Sequence, residues 1–307
     1  MSHEQFLEAF AQVQKLGSVE ALLAEHADRY AFQINSRNRG RDFIRQMESR
    51  IERPIEGMRV LDIGCAYGAF AIELANRGAR VTGVDVSDKW LKLAEINAQD
   101  EQPVTFLKVD AAGPFFREMV EPHGPFDLVI LNDVLEHIYD TYQLLANIKS
   151  VLARNGTVYF RVPNGKCFSH VLREGHKRVF GIALLPPDYW SHYVLTPVHI
   201  YYRPWEHYDA LIRFFGGSTA DFIQSARPLP AADFASLAEQ RLKAIEAEHK
   251  KTEYKGALAR RYLADAITAY RKEVALDMAA PLTPGQLAFK YLTTFWTGFF
   301  NFDSRNW

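Results

Sequence analysis

Residues 60–87 read VLDIGCAYGAFAIELANRGARVTGVDVS and contain four residues whose types and spacing could bind a ligand. An apolar run that carries Asp62 leads into a tight turn with Gly64 and Gly68, and a second apolar run ends in Asp85. Glycine lets the backbone approach a ligand closely, and a carboxylate at a strand end can accept both hydroxyl hydrogens of a ribose. The spacing therefore predicts a nucleotide-binding β-α-β unit.

The glycine spacing separates two kinds of nucleotide. A dinucleotide site needs G-x-G-x-x-G, so that a helix N-terminus faces the pyrophosphate, whereas this turn reads Gly64-x-Ala66-x-Gly68. Asp62 would repel phosphates but would suit a cationic aminoacyl sulfonium ligand, directly or through water. The pattern D-x-G-x-x-x-G resembles motif I of the class I S-adenosylmethionine (SAM)-dependent methyltransferases, which implies SAM as the cofactor.

The resemblance extends over about residues 58–165. VTFLKVDAAG predicts a third strand ending in Asp110, where the family places an acid against the exocyclic amine of adenine. FDLVILNDVLEHI and NGTVYFRVPN match the family's fourth and fifth strands in the expected order. The cofactor contacts that the resemblance implies are Asp62, Gly64, Cys65, Ala66, Gly68, Asp85, Val86, Asp110, Ala111 and Asn132.

Candidate catalytic residues follow the fourth predicted strand. Imidazole titrates near neutrality, so His137 is the preferred general base for a hydroxyl acceptor, with Glu136 and His199 as further candidates. The Glu136-His137 pair resembles the E-H pair of ubiquinone-type and related small-molecule O-methyltransferases. In the alternative interpretation, Asp133-x-x-Glu136 is a capping box that only begins a helix. His192 is a more distant candidate.

A metal site is a second alternative at the same place. Metal-dependent small-RNA 3′-end 2′-O-methyltransferases carry E-x-x-E-H and a distant histidine. The equivalent residues here would be Asp133, Glu136, His137 and His199. Two carboxylates and two imidazoles could bind Mg²⁺, Mn²⁺ or Zn²⁺, with Zn²⁺ the most tolerant of nitrogen. A divalent metal is possible but not favoured, because methyltransferases without metal often have a histidine there as well.

Composition and charge restrict the class of protein. The 307 residues are 48% hydrophobic, which is enough for a sizeable core. A formal net charge of −1 gives no global attraction for nucleic acid, which is therefore an unlikely partner. Cys65 and Cys167 form no C-x-x-C motif, as is typical of a reducing compartment. Without a signal-peptide pattern or about 18 consecutive apolar residues, we expect a cytoplasmic protein without a transmembrane segment.

The predicted elements give an α/β protein with a doubly wound, Rossmann-like, mostly parallel sheet. Near-continuous apolar strands are predicted at 59–63, 80–85, 104–109, 126–131 and 157–162, alternating with helices. We expect three regions: an N-terminal helical cover (1–57), a SAM-binding core (58–216) and a helical C-terminal extension (217–307). Within the cover, SRNRGR is interpreted as a solvated turn. Alternatively, Arg37, Arg39 or Arg41 contacts an anionic substrate.

The C-terminal region departs from the family pattern. A last core helix is predicted at 205–217, and residues 233–279 predict two charged helices broken near 252–256. QLAFKYLTTFWTGFFNF (286–302) is interpreted as a helix with too many aromatic residues to face water. Such a helix would pack over the core or form a homodimer interface, with membrane-surface contact as the alternative. The family's final antiparallel hairpin is not recognisable after residue 217.

The acceptor is the least defined part of the prediction. Residues 164–204 are rich in aromatic residues and histidine, which favours a substrate lid, although a satellite aromatic core is the alternative. Arg173, Lys177 and Arg178 could contact an acidic group or face solvent. We expect in-line transfer of a methyl group to oxygen of a small molecule, such as a quinone precursor, a sugar or a natural product. The alternatives are a metal-dependent RNA 2′-O-methyltransferase and a catalytically silent binding protein.

Overall fold

The fold is built on one seven-stranded sheet in a computed structural model that describes residues 2–51, 53–195, 200–224 and 226–302. The strands are β1 (Arg59–Ile63), β2 (Arg80–Asp85), β3 (Val104–Lys108), β4 (Phe126–Asn132), β5 (Leu152–Pro163), β6 (Asp221–Gln224) and β7 (Phe295–Asn301). Their order across the sheet is β3-β2-β1-β4-β5-β7-β6. β1 to β5 are parallel, whereas β7 runs antiparallel to both β5 and β6.

Helices connect and cover these strands. They are α1 (Ser2–Val13), α2 (Val19–Glu25), α3 (Ala27–Ile34), α4 (Ser36–Glu48), α5 (Ala69–Ala75), α6 (Asp88–Ala98), α7 (Phe116–Val120), α8 (Thr141–Val151), α9 (Phe168–Leu172), α10 (Trp205–Phe214), α11 (Ala231–Lys251), α12 (Ala257–Ala279) and α13 (Pro284–Tyr291). None of the helices in the described residues has the length and apolar character that crossing a bilayer requires.

Helices on both faces of the sheet explain why most residues of its central strands are apolar. Leu61 and Ile63 of β1 pack in the same cluster as Ile148 of α8. Val60, whose side chain points to the other face of the strand, packs with Met47 of α4. The predicted doubly wound α/β fold is therefore confirmed. From β1 the chain first adds β2 and β3 on one side and then β4 and β5 on the other, so the topological switch point lies between β1 and β4. A ligand crevice is expected at the carboxyl ends of these two parallel strands.

Several local signals of the sequence agree with the structure. Ser87 caps α6, because its hydroxyl oxygen accepts a hydrogen bond from the Trp90 N–H (3.4 Å). α11 ends at Lys251 and α12 begins at Ala257, on either side of the predicted break. The last core helix is present as α10.

The aromatic segment 286–302 corrects the prediction of a single helix. Its first part forms α13, but Phe295–Asn301 is β7, which pairs with β5 inside the sheet. Trp296 and Phe300 are 2% and 3% exposed, so these aromatics lie in the protein's own core. A strand covered on both faces is a continuous apolar run, and periodicity alone cannot tell it from a buried helix. The aromatic residues of this segment are therefore buried, as predicted, but in a strand of the sheet and not in a helix over the core or at a dimer interface.

The family's final hairpin is present but interrupted. Its strands are β6 and β7, and the chain between them forms α11, α12 and α13. These helices form a second core with the segment 164–204, in which Trp190 and Phe168 pack with Tyr270 and Tyr291. The satellite-core interpretation therefore holds for much of that segment.

The SRNRGR sequence belongs to α4 and is not a solvated turn. Arg37 is buried because its guanidinium pairs with the carboxylates of Glu73 (2.7 Å) and Glu101 (2.9 Å). A Cβ atom at Gly40 would lie 2.5 Å from the carbonyl oxygen of Ala69, so glycine permits the close approach of α4 to α5. These contacts fix α4 beside the glycine turn.

Candidate active site

A cavity of about 1060 Å³ opens at the carboxyl ends of β1, β4 and β5. Its walls are formed by the glycine turn, by α3 and α4, and by residues between 170 and 178. The predicted site residues that line it are Asp62, Gly64, Cys65, Ala66, Asn132, Asp133 and His137. The sheet and the two flanking segments thus bring the cofactor motif and the preferred catalytic residue to one cavity.

The glycine turn has the backbone that its sequence predicts. Gly64 and Gly68 have φ values of +66° and +74°, in the left-handed region that favours glycine. A Cβ atom at Gly64 would also lie 2.8 Å from Cγ2 of Val134. The Asp85 carboxylate accepts hydrogen bonds from the N–H groups of Ala66 (3.1 Å) and Ser87 (2.8 Å). Asp85 therefore holds the turn against the end of β2.

Asp62 is buried at the floor of the cavity, with 3% of its surface exposed. Burial raises the pKa of Asp62 to about 7, against the opposing effect of a hydrogen bond from the Ala71 backbone. The nearby Asp85 carboxylate acts in the same direction as burial. A cationic ligand would bring Asp62 back to its charged form.

The predicted adenine contacts lie outside the residues that line this cavity. Val86 is 62% exposed, and Asp110 is exposed at the end of β3, where its carboxylate accepts the Ala112 N–H (3.0 Å). Ala111 is buried, and its carbonyl oxygen accepts a hydrogen bond from the Asn147 amide (2.9 Å). Asp110 and Ala111 follow β3, whose end pairs with Asp85 at the end of β2. They and Val86 therefore stay candidates for contact with an adenine ring that is partly exposed.

The capping-box interpretation of Asp133 and Glu136 is wrong. Neither residue caps a helix, and α8 begins later, where Asp140 accepts the Gln143 N–H (2.9 Å). Asp133 has a φ of +56° and forms an ion pair with Arg161 of β5. His137 lies on a short 3₁₀ turn and not at the start of the helix.

Glu136 is a buried carboxylate beside two histidines. It is 1% exposed, and neither carboxylate oxygen has a hydrogen-bond partner among the described residues. His176 Nε2 lies 3.7 Å from Glu136 Oε1, and the rings of His137 and His176 are 5.1 Å apart. Burial raises the pKa of Glu136 to about 7. The three side chains can place one ligand atom each within 4.8 Å of one another.

His176 is held by Glu174, and the sequence analysis assigned a role to neither residue. Glu174 is fully buried, and its Oε1 lies 2.9 Å from Nδ1 of His176. Tyr202 donates its hydroxyl hydrogen to the same oxygen. Desolvation alone would lower the pKa of His176, but the carboxylates of Glu136 and Glu174 raise it to about 9. The only signal in the sequence is the short E-x-H-K-R run, which does not show what it contacts.

Of the remaining histidine candidates, His192 is not among the residues that line the cavity. His192 is exposed and its ring lies 5.8 Å from that of Tyr262. His199 lies outside the described residues. Of the other residues in the metal set proposed from sequence, Asp133 pairs with Arg161, and Glu136 and His137 lie together with His176.

Comparison with known proteins agrees with the site. A family model described as a methyltransferase domain matches residues 31–216, more than half of the chain. A ubiquinone biosynthesis O-methyltransferase of Maricaulis maris is 36% identical over 34% of this chain and 40% of that protein. One of Rhizobium etli is 33% identical over 38% of this chain and 46% of that protein. The chain thus spans less than half the length of these two curated relatives.

Solved structures include a SAM-dependent methyltransferase from Archaeoglobus fulgidus with 14% identity. The match covers 88% of this chain and 98% of the Archaeoglobus fulgidus chain, with a TM-score of 0.47. The family-model match spans the glycine turn, the ends of β1 to β5 and α4. The chain therefore belongs to the methyltransferase-domain family of class I SAM-dependent methyltransferases, which take SAM as their cofactor.

Proposed function

We propose that this protein transfers the methyl group of SAM to a hydroxyl oxygen of a small metabolite. The observation that carries the proposal is one cavity that is lined by Asp62, by residues of the glycine turn and by His137. The relatives named ubiquinone biosynthesis O-methyltransferases support oxygen as the acceptor atom. A quinone precursor, a sugar and a natural-product scaffold are the acceptor classes to test.

The cofactor is proposed to lie along the glycine turn. Asp62 would bind the ammonium group of SAM, directly or through water, and Asp85 would accept the ribose hydroxyl hydrogens. Asp110 is the proposed partner of the adenine amine. Arg39, which is not part of the cofactor motif, lines the same cavity. Its guanidinium lies over the Phe32 ring. Arg39 is therefore the proposed partner of the SAM carboxylate.

His137 is the proposed general base. When bound, SAM supplies a methyl group on a positively charged sulfur, ready for in-line displacement. His137 would accept the proton of the acceptor hydroxyl as the new C–O bond forms and the C–S bond breaks. The buried Glu136 carboxylate would stabilise the imidazolium cation that results. The protein's main further contribution would be to hold the hydroxyl in line with the methyl group.

The division of the chain is part of the proposal. Residues 1–57 would cover the cofactor, since Arg29, Tyr30 and Arg39 line the cavity. The part of 164–204 that contains His170 and residues 175–178 would act as the lid over the acceptor. Residues 217–307 would support that lid through the second core.

Transfer of radiolabelled methyl groups tests this function. The purified protein is incubated with labelled SAM and a panel of catechols, phenols, sugars and polyketide scaffolds. We expect label in at least one small-molecule acceptor. Binding of SAM without transfer to any acceptor would favour the silent binding protein instead.

A metal-assisted reaction is the second candidate, because Glu136, His137 and His176 can place three ligand atoms within 4.8 Å of one another. Two imidazoles and one carboxylate form a set that Zn²⁺ would accept more readily than Mg²⁺. A metal would lower the pKa of the acceptor hydroxyl and so do the work of a base, including on the 2′-hydroxyl of an RNA end. A metal would have to displace the proton of His176, whose pKa the carboxylates of Glu136 and Glu174 raise.

We expect EDTA treatment to leave methyl transfer unchanged. The measurement compares turnover of metal-stripped protein before and after addition of Mg²⁺, Mn²⁺ or Zn²⁺. Activity that appears only with added metal, and that is lost in His176→Ala, would instead establish the metal-assisted reaction.

We expect the affinity for SAM to rise with pH and to level off above about pH 7. Burial raises the pKa of Asp62 to about 7, and only the ionised carboxylate attracts the SAM ammonium group. Because binding of a cation favours the ionised form, affinity should fall below that pH by up to about tenfold per pH unit. Calorimetry on the wild type and on Asp62→Asn measures the effect. A wild-type profile as flat as that of the variant would contradict the role of Asp62.

A further inference from the structure

We propose that the acceptor carries an anionic group, a carboxylate or a phosphate, which binds to Lys177 and Arg178. This inference rests on the proposed function, since it concerns the acceptor side of the same cavity. Both residues line the cavity next to His176, and His176 in turn lies beside His137. We call residues 176–178 the basic loop.

The basic loop is anchored by one buried carboxylate. Glu174 is fully buried, and its Oε2 accepts the backbone N–H groups of His176 (2.9 Å) and Lys177 (2.5 Å). The Arg178 N–H donates to the backbone carbonyl of Glu174 (2.9 Å), which closes the turn. Tyr202 donates its hydroxyl hydrogen to Glu174 Oε1, and this contact connects the loop to the chain that precedes α10. These hydrogen bonds give the loop a defined conformation in the cavity wall.

Lys177 and Arg178, the two cations of the loop, lack an ionic partner among the residues that the structure describes. Within the described parts of the chain, no carboxylate lies within 4.0 Å of the amine of Lys177 or the guanidinium of Arg178. Arg161, another cation that lines the cavity, is already paired with Asp133. Lys177 is half-buried and has lost part of its water. An anionic ligand would supply the missing partner and would gain charge-assisted hydrogen bonds from both side chains.

The position of the loop distinguishes an acceptor site from a cofactor site. The only negative group that SAM offers is its carboxylate, and Arg39 is the proposed partner of that group on the glycine-turn side. Lys177 and Arg178 belong to the lid side, with His170 and His176. A hydroxyl held at His137 would then place the anionic group of the same molecule toward the loop.

A small anion fits these observations better than an RNA phosphate backbone. RNA binding needs an extended basic groove that tracks several phosphates, and this chain has a formal net charge of −1. The basic loop offers two cations that face into a cavity. A binding site for one anionic group is therefore the chemistry that the loop supports.

Matched pairs of neutral and charged probes test the proposal. Catechol is compared with 3,4-dihydroxybenzoate, and glucose with glucose 6-phosphate, by calorimetry on protein saturated with S-adenosylhomocysteine. We expect the charged member of at least one pair to bind about tenfold more tightly or better. In Lys177→Gln/Arg178→Gln this preference should fall to about twofold or less. Arg173→Gln is the matched control, because Arg173 is exposed in the same segment and does not line the cavity.

The other outcomes separate the possible errors. Binding of S-adenosylhomocysteine with no charge preference in either pair would overturn the anionic subsite and leave the proposed function standing. Equal loss of preference in the Arg173 control would also overturn it, because the effect would then be one of overall charge. No binding of S-adenosylhomocysteine would overturn both proposals. Tighter binding of a short RNA oligonucleotide, lost in the double variant, would replace the small-molecule acceptor with RNA.

Discussion

Replacing His137 with alanine is expected to lower kcat by roughly 10²- to 10⁴-fold, the usual contribution of a general base. Affinity for SAM should stay unchanged, because the proposed cofactor contacts are Asp62, Arg39 and Asp85, and the hydrogen bonds from the Ala66 and Ser87 N–H groups to Asp85 stay in place. The acceptor hydroxyl would then have to lose its proton to water during methyl transfer. The measurement is a comparison of kcat, KM and SAM affinity in the wild type and in His137→Ala.

His192→Ala is the matched control for this variant. It removes an imidazole from an exposed position outside the cavity, so turnover should stay at the wild-type value. Wild-type turnover in His137→Ala would remove His137 as the base and direct attention to Glu136 and His176. A large rise in KM with unchanged kcat would make His137 a binding residue instead.

Replacing Asp85 with alanine is expected to weaken SAM binding by ~1–3 kcal/mol. The carboxylate would lose its hydrogen bonds to the ribose hydroxyls. It would also lose those from the N–H groups of Ala66 and Ser87, which hold the glycine turn in place. Calorimetric titration with SAM measures the loss directly.

Asp88→Ala provides the control for Asp85. Asp88 is an exposed acid three positions later, and its carboxylate pairs with Lys108 (2.5 Å) at the surface. Surface ion pairs contribute little, so SAM affinity should not change. Unchanged affinity in Asp85→Ala as well would show that the cofactor does not bind at the end of β2.

The sequence predicted the parallel part of the sheet well and the antiparallel part poorly. β1, β2 and β4 are mostly buried, whereas β3 is a partly exposed edge strand. The apolar runs of the five parallel strands end in turn signals, so their order could be predicted. β7 is equally apolar, but α11 to α13 separate it from β6, and no turn joins the two strands. Without that turn, an aromatic run fits a buried helix as well as a strand.

The candidate site was predictable where it depends on one short segment. Asp62, Asp85 and His137 lie in motifs whose spacing determines their position. Glu174 and His176 were missed because the contact of His176 with Glu136 exists only after residues 170–178 pack beside β4 and β5. The burial of Arg37 could not be predicted for the same reason, because its partners Glu73 and Glu101 lie far along the chain.

Titration calorimetry with SAM and S-adenosylhomocysteine, on metal-stripped protein, tests the central claim most directly. We predict one binding site per chain with micromolar affinity, weakened in Asp85→Ala and unchanged in Asp88→Ala. Absence of binding in the wild type, at concentrations up to about 1 mM of either ligand, would contradict the assignment of the glycine turn, Asp62 and Asp85 to the cofactor.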